Sequence, residues 1–195
     1  MLVFALNVNR LRKLKTLEKG NYKSLFWLGL IVLIIVTFDQ ITKIWAVNNL
    51  TGKPSLEIMG QFFMLTLVYN EGGALGTNFG PSQYYLISSI LILLFILFYI
   101  FQNRNYKMIA IPLAFITGGA IGNIIDRIRL QKIIDFIDVD FFDINIFGYQ
   151  LHRFWTFNIA DASISCSIAF LLTYMLFFSK SLKDDQKPDL IEDSE

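Results

Sequence analysis

Four long apolar runs constrain this chain more than any other feature of its sequence. They cover approximately residues 25–47, 84–101, 108–125 and 159–178. Each run is long enough to cross a lipid bilayer as a helix, which takes about 17–25 residues. Hydrophobic residues make up 54% of the chain, more than an ordinary soluble domain contains. We therefore predict a membrane all-α protein with four transmembrane helices in one domain over residues 25–178.

Lys and Arg residues predict the direction of the helices. They are frequent before the first run, between the second and third runs, and after the last, at Arg10, Arg12, Lys13, Lys15, Lys19, Lys23, Arg104, Lys107, Lys180, Lys183 and Lys187. Cytoplasmic segments of membrane proteins carry an excess of these residues. The pattern predicts a basic cytoplasmic arm at 1–24, a polar cytoplasmic tail at 179–195, and outer segments at 48–83 and 126–158.

The first outer segment contains a predicted β-strand. Residues 61–69 are rich in aromatic and β-branched side chains, and the run Asn70-Glu71-Gly72-Gly73 that follows is typical of a turn. We expect a small extracytoplasmic β-sheet within 48–83 and an outer loop over 126–158. Asn70 either serves only the turn or hydrogen-bonds the backbone of a substrate, and the sequence leaves both interpretations open.

Four aspartates lie where this topology brings the chain to the outer face of the membrane. They are Asp39, Asp126, Asp135 and Asp161. A carboxylate in or beside the bilayer is costly and generally marks a function. Because the four are far apart in sequence but are predicted to lie at one face, we expect them to form a site.

The neighbours of Asp39 and Asp126 favour supporting roles. Asp39 lies four residues before Lys43, so the two side chains can pair on one helix face. We favour a structural ion pair there over direct catalysis. Asp126 is followed by an arginine and preceded by Gly118 and Gly122, whose spacing lets another helix approach closely. For Asp126, a structural and a catalytic role are equally supported.

Asp135 and Asp161 have surroundings that suit an acid–base pair. Asp135 is flanked by isoleucines and a phenylalanine, and burial in such a patch favours the protonated carboxyl group. Asp161 opens the fourth helix next to Asn158, a suitable cap, where the helix dipole favours a carboxylate. Considered alone, Asp135 is better explained as a solvated loop residue and Asp161 as an ordinary residue at a helix start. Together they form the pair of unlike carboxyl groups that can activate water and protonate a leaving group.

Other catalytic classes are poorly represented in the sequence. The chain has one cysteine, Cys166, and one histidine, His152, which is too few for a zinc or iron site. It also lacks the Gly-x-Ser-x-Gly and His-Glu-x-x-His motifs of serine and zinc hydrolases. We therefore expect neither a metal nor another cofactor.

Two non-enzymatic functions compete with hydrolysis. Carboxylates in membrane spans also mark the ion path of a small proton- or ion-coupled transporter or channel subunit. Such a path needs carboxylates at several depths, whereas these gather at one predicted face of the membrane. A purely structural membrane subunit would leave the set of motifs unexplained.

Taken together, the motifs resemble those of bacterial lipoprotein signal peptidase, the signal peptidase II family. In chain order they are Asp39-Gln40 with Lys43, Asn70-x-Gly72, Gly118-Gly119-Ala120 through Asn123, Asp126-Arg127, Asp135-Phe136 and Phe157-Asn158-x-Ala160-Asp161. Each motif alone is weakly specific, but the ordered set is highly specific and spans about residues 25–178. The chain differs from the family at Leu75, where a phenylalanine is usual, and in a longer loop between Asp135 and Asp161.

The resemblance implies a metal-free aspartic endopeptidase that removes the signal peptide of a prolipoprotein just before a diacylglyceryl-modified cysteine. It implies Asp135 and Asp161 as the catalytic pair. The supporting or substrate-binding residues that it implies are Asp39, Lys43, Asn70, Gly72, Asn123, Asp126, Arg127, Asn158 and Ala160. The expected location is the bacterial inner membrane, with both termini cytoplasmic and the site at the extracytoplasmic face. The expected partners are lipid-modified prolipoproteins and membrane phospholipid, without nucleic acid, and a monomer is expected.

Overall fold

Four helices form the body of the protein in a computed structural model that describes residues 2–73, 80–140, 144–146, 149–151 and 155–185. They are α1 (Leu2–Leu50), α2 (Ser82–Asn103), α3 (Lys107–Leu130) and α4 (Ile159–Asp185). Each contains a stretch long and apolar enough to cross a membrane, so the four predicted spans are confirmed among the described residues. Helix α1 starts well before its apolar stretch, so the basic arm continues the first span as one helix.

Helix α3 is the centre of the bundle. It packs against α1, α2 and α4, and 67% of its most apolar window is buried, against 6–11% in the other three helices. The outer helices present large apolar side chains to their surroundings, as lipid-facing helices do; examples are Leu33, Phe95 and Leu176. Gly118 lets α1 approach, because a Cβ atom there would lie 2.7 Å from the Cβ atom of Ile35.

Gly122→Ala should strongly reduce accumulation in the membrane. A Cβ atom at Gly122 would collide with Oδ2 of Asp39 and lie 3.5 Å from the Cβ atom of Ala160. Overpacking of this kind costs about 1–3 kcal/mol or more. Gly29→Ala is the matched control, since a Cβ atom there meets no atom of the described residues within 4 Å. Membrane abundance and the Tm in detergent measure the effect; equal values for the two variants would contradict the close approach.

A three-stranded antiparallel sheet lies beside the helices, with strand order β1 (Leu56–Met59), β2 (Phe63–Asn70) and β3 (Ile133–Val139). Strand β2 confirms the strand predicted at 61–69. Strand β3 lies in the segment predicted only as an outer loop. Nearly all its residues are buried, so it lacks the alternation of apolar and polar residues that identifies a one-faced strand.

The same segment also contains a hairpin of β4 (Ile144–Ile146) and β5 (Tyr149–Leu151). Helix α3 ends immediately before β3 because Gln131 adopts a left-handed conformation, with φ 63°, and its N–H binds the carbonyl oxygen of Arg127. Leu75 and His152, which the sequence analysis discussed, lie outside the described residues.

Two contacts fix the sheet against the helices. Buried Phe136 of β3 packs against Ala46 and Leu50 at the end of α1. Phe157, just before α4, exchanges backbone hydrogen bonds with Ile137 of β3, at N···O distances of 2.8 and 2.9 Å. The start of α4 is therefore held directly beside β3.

Candidate active site

The fold brings the four aspartates into one hydrogen-bonded cluster. Asp39 comes from α1, Asp126 from α3, Asp135 from β3 and Asp161 from the first turn of α4. The first three are at most 2% exposed, and Asp161 is partly buried. Four carboxyl groups that are distant in sequence thus share one buried region, as the predicted topology requires.

Asp135 is buried in an apolar patch and held by two amides. Asn70 donates from Nδ2 to its Oδ2 atom over 3.1 Å, and Asn158 donates from Nδ2 to its Oδ1 atom over 2.7 Å. Burial, followed by the negative charge of Asp161, raises the pKa of Asp135 to about 7, against the lowering effect of the two amides and of Lys43. Asp135 therefore holds its proton up to near-neutral pH.

Asp161 forms a capping box with Asn158. The N–H of Asp161 donates to Asn158 Oδ1 over 2.9 Å, and the N–H of Asn158 donates to Asp161 Oδ2 over 3.3 Å. Asn123 of α3 donates from Nδ2 to the remaining oxygen, Asp161 Oδ1, over 2.8 Å. Both oxygens of Asp161 are thus oriented, beside the positive end of the α4 dipole.

Asn158 connects the two candidate catalytic residues. It is 0% exposed, and its Oδ1 atom accepts from the backbone N–H of Asp161 while its Nδ2 atom donates to the carboxyl group of Asp135. Its own backbone N–H donates to Asp161 Oδ2. The same Nδ2 group also lies 3.2 Å from Asn123 Oδ1 and 3.3 Å from the carbonyl oxygen of Ile134. One residue therefore contacts both carboxyl groups, Asp135 through its side chain and Asp161 through its backbone N–H.

Lys43 pairs with two of the aspartates. Its Nζ atom lies 2.9 Å from Asp39 Oδ2, the ion pair predicted from their spacing, and 2.8 Å from Asp126 Oδ2. It also donates to Asn123 Oδ1 over 2.9 Å. Asp126 is therefore paired with a lysine of another helix.

Arg127 contacts the turn after β2. Its Nη2 atom donates to the carbonyl oxygen of Gly72 over 3.1 Å, and its Nη1 atom lies 3.5 Å from Ser89 Oγ. The N–H of Gly72 in turn donates to Asn70 Oδ1 over 3.0 Å, which leaves the Nδ2 atom of Asn70 facing Asp135. Of the two roles left open for Asn70, the structure shows the turn, together with a direct bond to Asp135.

Gln40 is a member of the cluster to which the sequence analysis assigned no role. Its Nε2 atom donates to Asp126 Oδ1 over 3.1 Å and to the carbonyl oxygen of Gly122 over 3.2 Å. It also lies 3.2 Å from Asp39 Oδ2. A polar amide inside an apolar span was the signal that could have identified it.

The geometry joins a proton-bearing carboxyl group and a second carboxyl group through Asn158. Asp135 holds a proton near neutral pH, and Asn158 donates both to its carboxyl group and to that of Asp161. Such a pair can deprotonate water and protonate a leaving group. Among the described residues, no group of three or more His, Cys, Asp or Glu side chains is arranged to hold a metal ion.

Comparisons with known proteins point in one direction. The family model for signal peptidase (SPase) II matches residues 31–177. A lipoprotein signal peptidase of Pelodictyon phaeoclathratiforme is 37% identical over 146 residues, covering 74% of this chain and 86% of that protein. One of Clostridioides difficile is 33% identical over 153 residues, covering 78% and 97%. A bacterial membrane enzyme solved by the in meso method at 2.3 Å resolution has a similar fold, with a TM-score of 0.65 and 30% identity over 84% of this chain and 93% of the other.

Proposed function

The chain belongs to the signal peptidase II family, and on that premise we propose that it removes the signal peptide of prolipoproteins by aspartic catalysis, with Asp135 and Asp161 as the catalytic pair. A protein of this family with four apolar helices is a peptidase of the bacterial inner membrane. The observation that carries the catalytic assignment is Asn158, which donates to both carboxyl groups at once, from its side-chain Nδ2 atom to Asp135 and from its backbone N–H to Asp161.

At the start of the proposed reaction the catalytic pair carries one proton, on Asp135. Asp161 takes a proton from water as the water oxygen attacks the scissile carbonyl carbon, and Asp135 gives its proton to the carbonyl oxygen. When the tetrahedral intermediate collapses, the C–N bond breaks and Asp161 passes its proton to the departing amine. Asp135 recovers a proton from the intermediate's hydroxyl group, so the pair ends as it began.

The site lies on the extracytoplasmic side in this proposal. Asp161 is in the first turn of α4, and Asp126 is in the last turns of α3, at the end opposite Arg104 in the connection and Lys107 at the start of α3. The basic connection marks the cytoplasmic face, and both termini lie on that side. The substrate's acyl chains remain in the bilayer beside the exposed apolar helix faces, and a monomer contains all the proposed catalytic groups.

The transporter alternative finds no support. A proton or ion path needs ionisable groups at several depths of the membrane. Instead, one cluster contains all four aspartates, linked through their hydrogen-bond and ion-pair partners: Asp39, Asp126, Asp135 and Asp161.

Cleavage of matched precursors tests the proposed substrate. The purified protein should release the signal peptide from a precursor whose cysteine carries diacylglycerol, and should leave the same precursor without the lipid intact. Mass spectrometry of the products identifies the bond that is cut. Failure to cut the lipidated precursor, or equal cutting of both, would overturn the proposal.

The pH profile should report the proton on Asp135. Because the reaction needs that proton, kcat/KM should fall as the pH rises through about 7, the pKa of Asp135. The hydrogen bond from Asn70 lowers this pKa, so Asn70→Ala should move the alkaline limb to higher pH. Asn49→Ala removes an exposed asparagine of α1 and should leave the profile unchanged. An alkaline limb that stays in place in Asn70→Ala would contradict the assignment.

A further inference from the structure

The residue directly before each proposed catalytic aspartate donates its backbone N–H to a second, buried aspartate. Ala160 donates to Asp39 Oδ1 over 3.0 Å. Ile134 donates to Asp126 Oδ2 over 3.2 Å. The two catalytic segments, the start of α4 and strand β3, are thus each held by a carboxylate from another helix.

A single ammonium group joins these two carboxylates. Lys43 lies 2.9 Å from Asp39 and 2.8 Å from Asp126, and its third bond, to Asn123 Oδ1, also measures 2.9 Å. A lysine has three N–H donors, so each of these contacts can take one. Asn123 in turn binds Asp161, which gives Lys43 a second connection to the catalytic pair. We call Lys43, Asp39 and Asp126 the clamp.

We propose, on the basis of the function proposed above, that the clamp positions the catalytic pair by fixing the separation of β3 from the start of α4. Asn158 can donate to both carboxyl groups, from Nδ2 to Asp135 and from its backbone N–H to Asp161, only if those two segments stay at one distance. Burying three charges is costly, and apolar packing often gives equal or greater stability. A requirement for geometry accounts for their presence. The clamp residues touch neither the water nor the substrate in this scheme.

Asp126 offers the sharpest test, because one of its oxygens does the positioning. Oδ2 accepts from both Lys43 and Ile134, whereas Oδ1 accepts, among the described residues, only from Gln40, which also donates to the carbonyl oxygen of Gly122 and keeps that bond in Asp126→Asn. Asp126→Asn keeps an oxygen at the position of Oδ2, whereas Asp126→Ala loses it. Since misplacement of about 1 Å can cost about 100-fold in rate, kcat of Asp126→Ala should fall about 100-fold with KM within about twofold of wild type. Asp126→Asn should keep kcat within about tenfold of wild type.

A stability-matched control separates positioning from general weakening. Leu113→Ala opens a cavity in the apolar cluster of α3 and removes no bond of the site. When each variant is assayed at the same interval below its own Tm, the kcat of Leu113→Ala should remain near the wild-type value. An inactive Asp126→Asn would overturn the proposal, because the carboxylate itself would then take part in the chemistry. An equal loss of kcat in Leu113→Ala would also overturn it.

If Asp126→Ala does not accumulate, Asp39→Asn provides the same test. It keeps an acceptor for Ala160 but places an NH₂ group against Lys43, so kcat should fall about tenfold with KM unchanged. A wild-type kcat in that variant would overturn the clamp. Failure of the proposed function has a different signature: the wild-type protein would leave the diacylglyceryl precursor uncut.

Discussion

Replacing Asp135 or Asp161 with Asn will abolish cleavage of a lipidated precursor while the protein still accumulates in the membrane. Asn has nearly the shape of Asp, but it can neither give up nor take the proton that the reaction moves. Loss of one acid–base partner should lower the rate about 1000-fold or more. Precursor processing in isolated membranes, with an immunoblot of the membrane fraction, measures both quantities.

Asp138→Asn is the matched control for this pair of variants. Asp138 is also a buried aspartate of β3, and its Oδ2 atom accepts from Thr66 over 2.8 Å. Its replacement should leave the rate within a few-fold of wild type. Processing at the wild-type rate by Asp135→Asn or Asp161→Asn would remove that residue from the catalytic pair.

Lys43→Met will have the largest effect on folding. The change leaves the buried carboxylates of Asp39 and Asp126 without their shared cation. Breaking a buried ion pair by removing one partner costs about 3–5 kcal/mol. This is a large part of the stability of a typical domain, so membrane abundance should drop severely and the Tm in detergent should fall by many degrees.

Lys132→Met tests whether burial is the cause of that loss. Lys132 pairs with Glu71 over 3.1 Å, but the two side chains are 40% and 68% exposed. Losing an exposed pair costs at most about 1 kcal/mol. Equal abundance and equal Tm for Lys43→Met and Lys132→Met would contradict the clamp's energetic role. Adding Asp39→Asn and Asp126→Asn to Lys43→Met should restore accumulation, since no unpaired charge remains, without restoring activity.

Local patterns in the sequence predicted the features that depend on local physics. Hydropathy identified the four spans, and the spacing of Asp39 and Lys43 predicted their ion pair. Strand β3 was missed because it is buried on nearly all sides and pairs with β2, more than 60 residues earlier in the chain. The bond from Lys43 to Asp126 was missed for the same reason: it depends on how α1 packs against α3.

The choice between Asp126 and Asp135 shows where sequence reasoning needed the family resemblance. The sequence placed an arginine beside Asp126, but adjacent residues on a helix point about 100° apart. Arg127 accordingly contacts Gly72, while Asp126 is held by Lys43. Within the described part of the chain, Asp135 has amide partners and no ion pair, and its pKa is raised to about 7. The apolar neighbours of Asp135 indicated its raised pKa, whereas the partners of both aspartates follow from tertiary contacts that no local pattern contained.

Single-turnover cleavage of a diacylglyceryl precursor by the purified protein tests the central claim most directly. Wild type, Asp135→Asn, Asp161→Asn and Asp138→Asn should be compared at one pH below 7, with the cut bond identified by mass spectrometry. We predict that wild type and Asp138→Asn cut the bond before the lipidated cysteine, whereas the other two variants bind the precursor without cutting it. Cleavage of that bond at the wild-type rate by Asp135→Asn or Asp161→Asn would contradict the shared-proton pair.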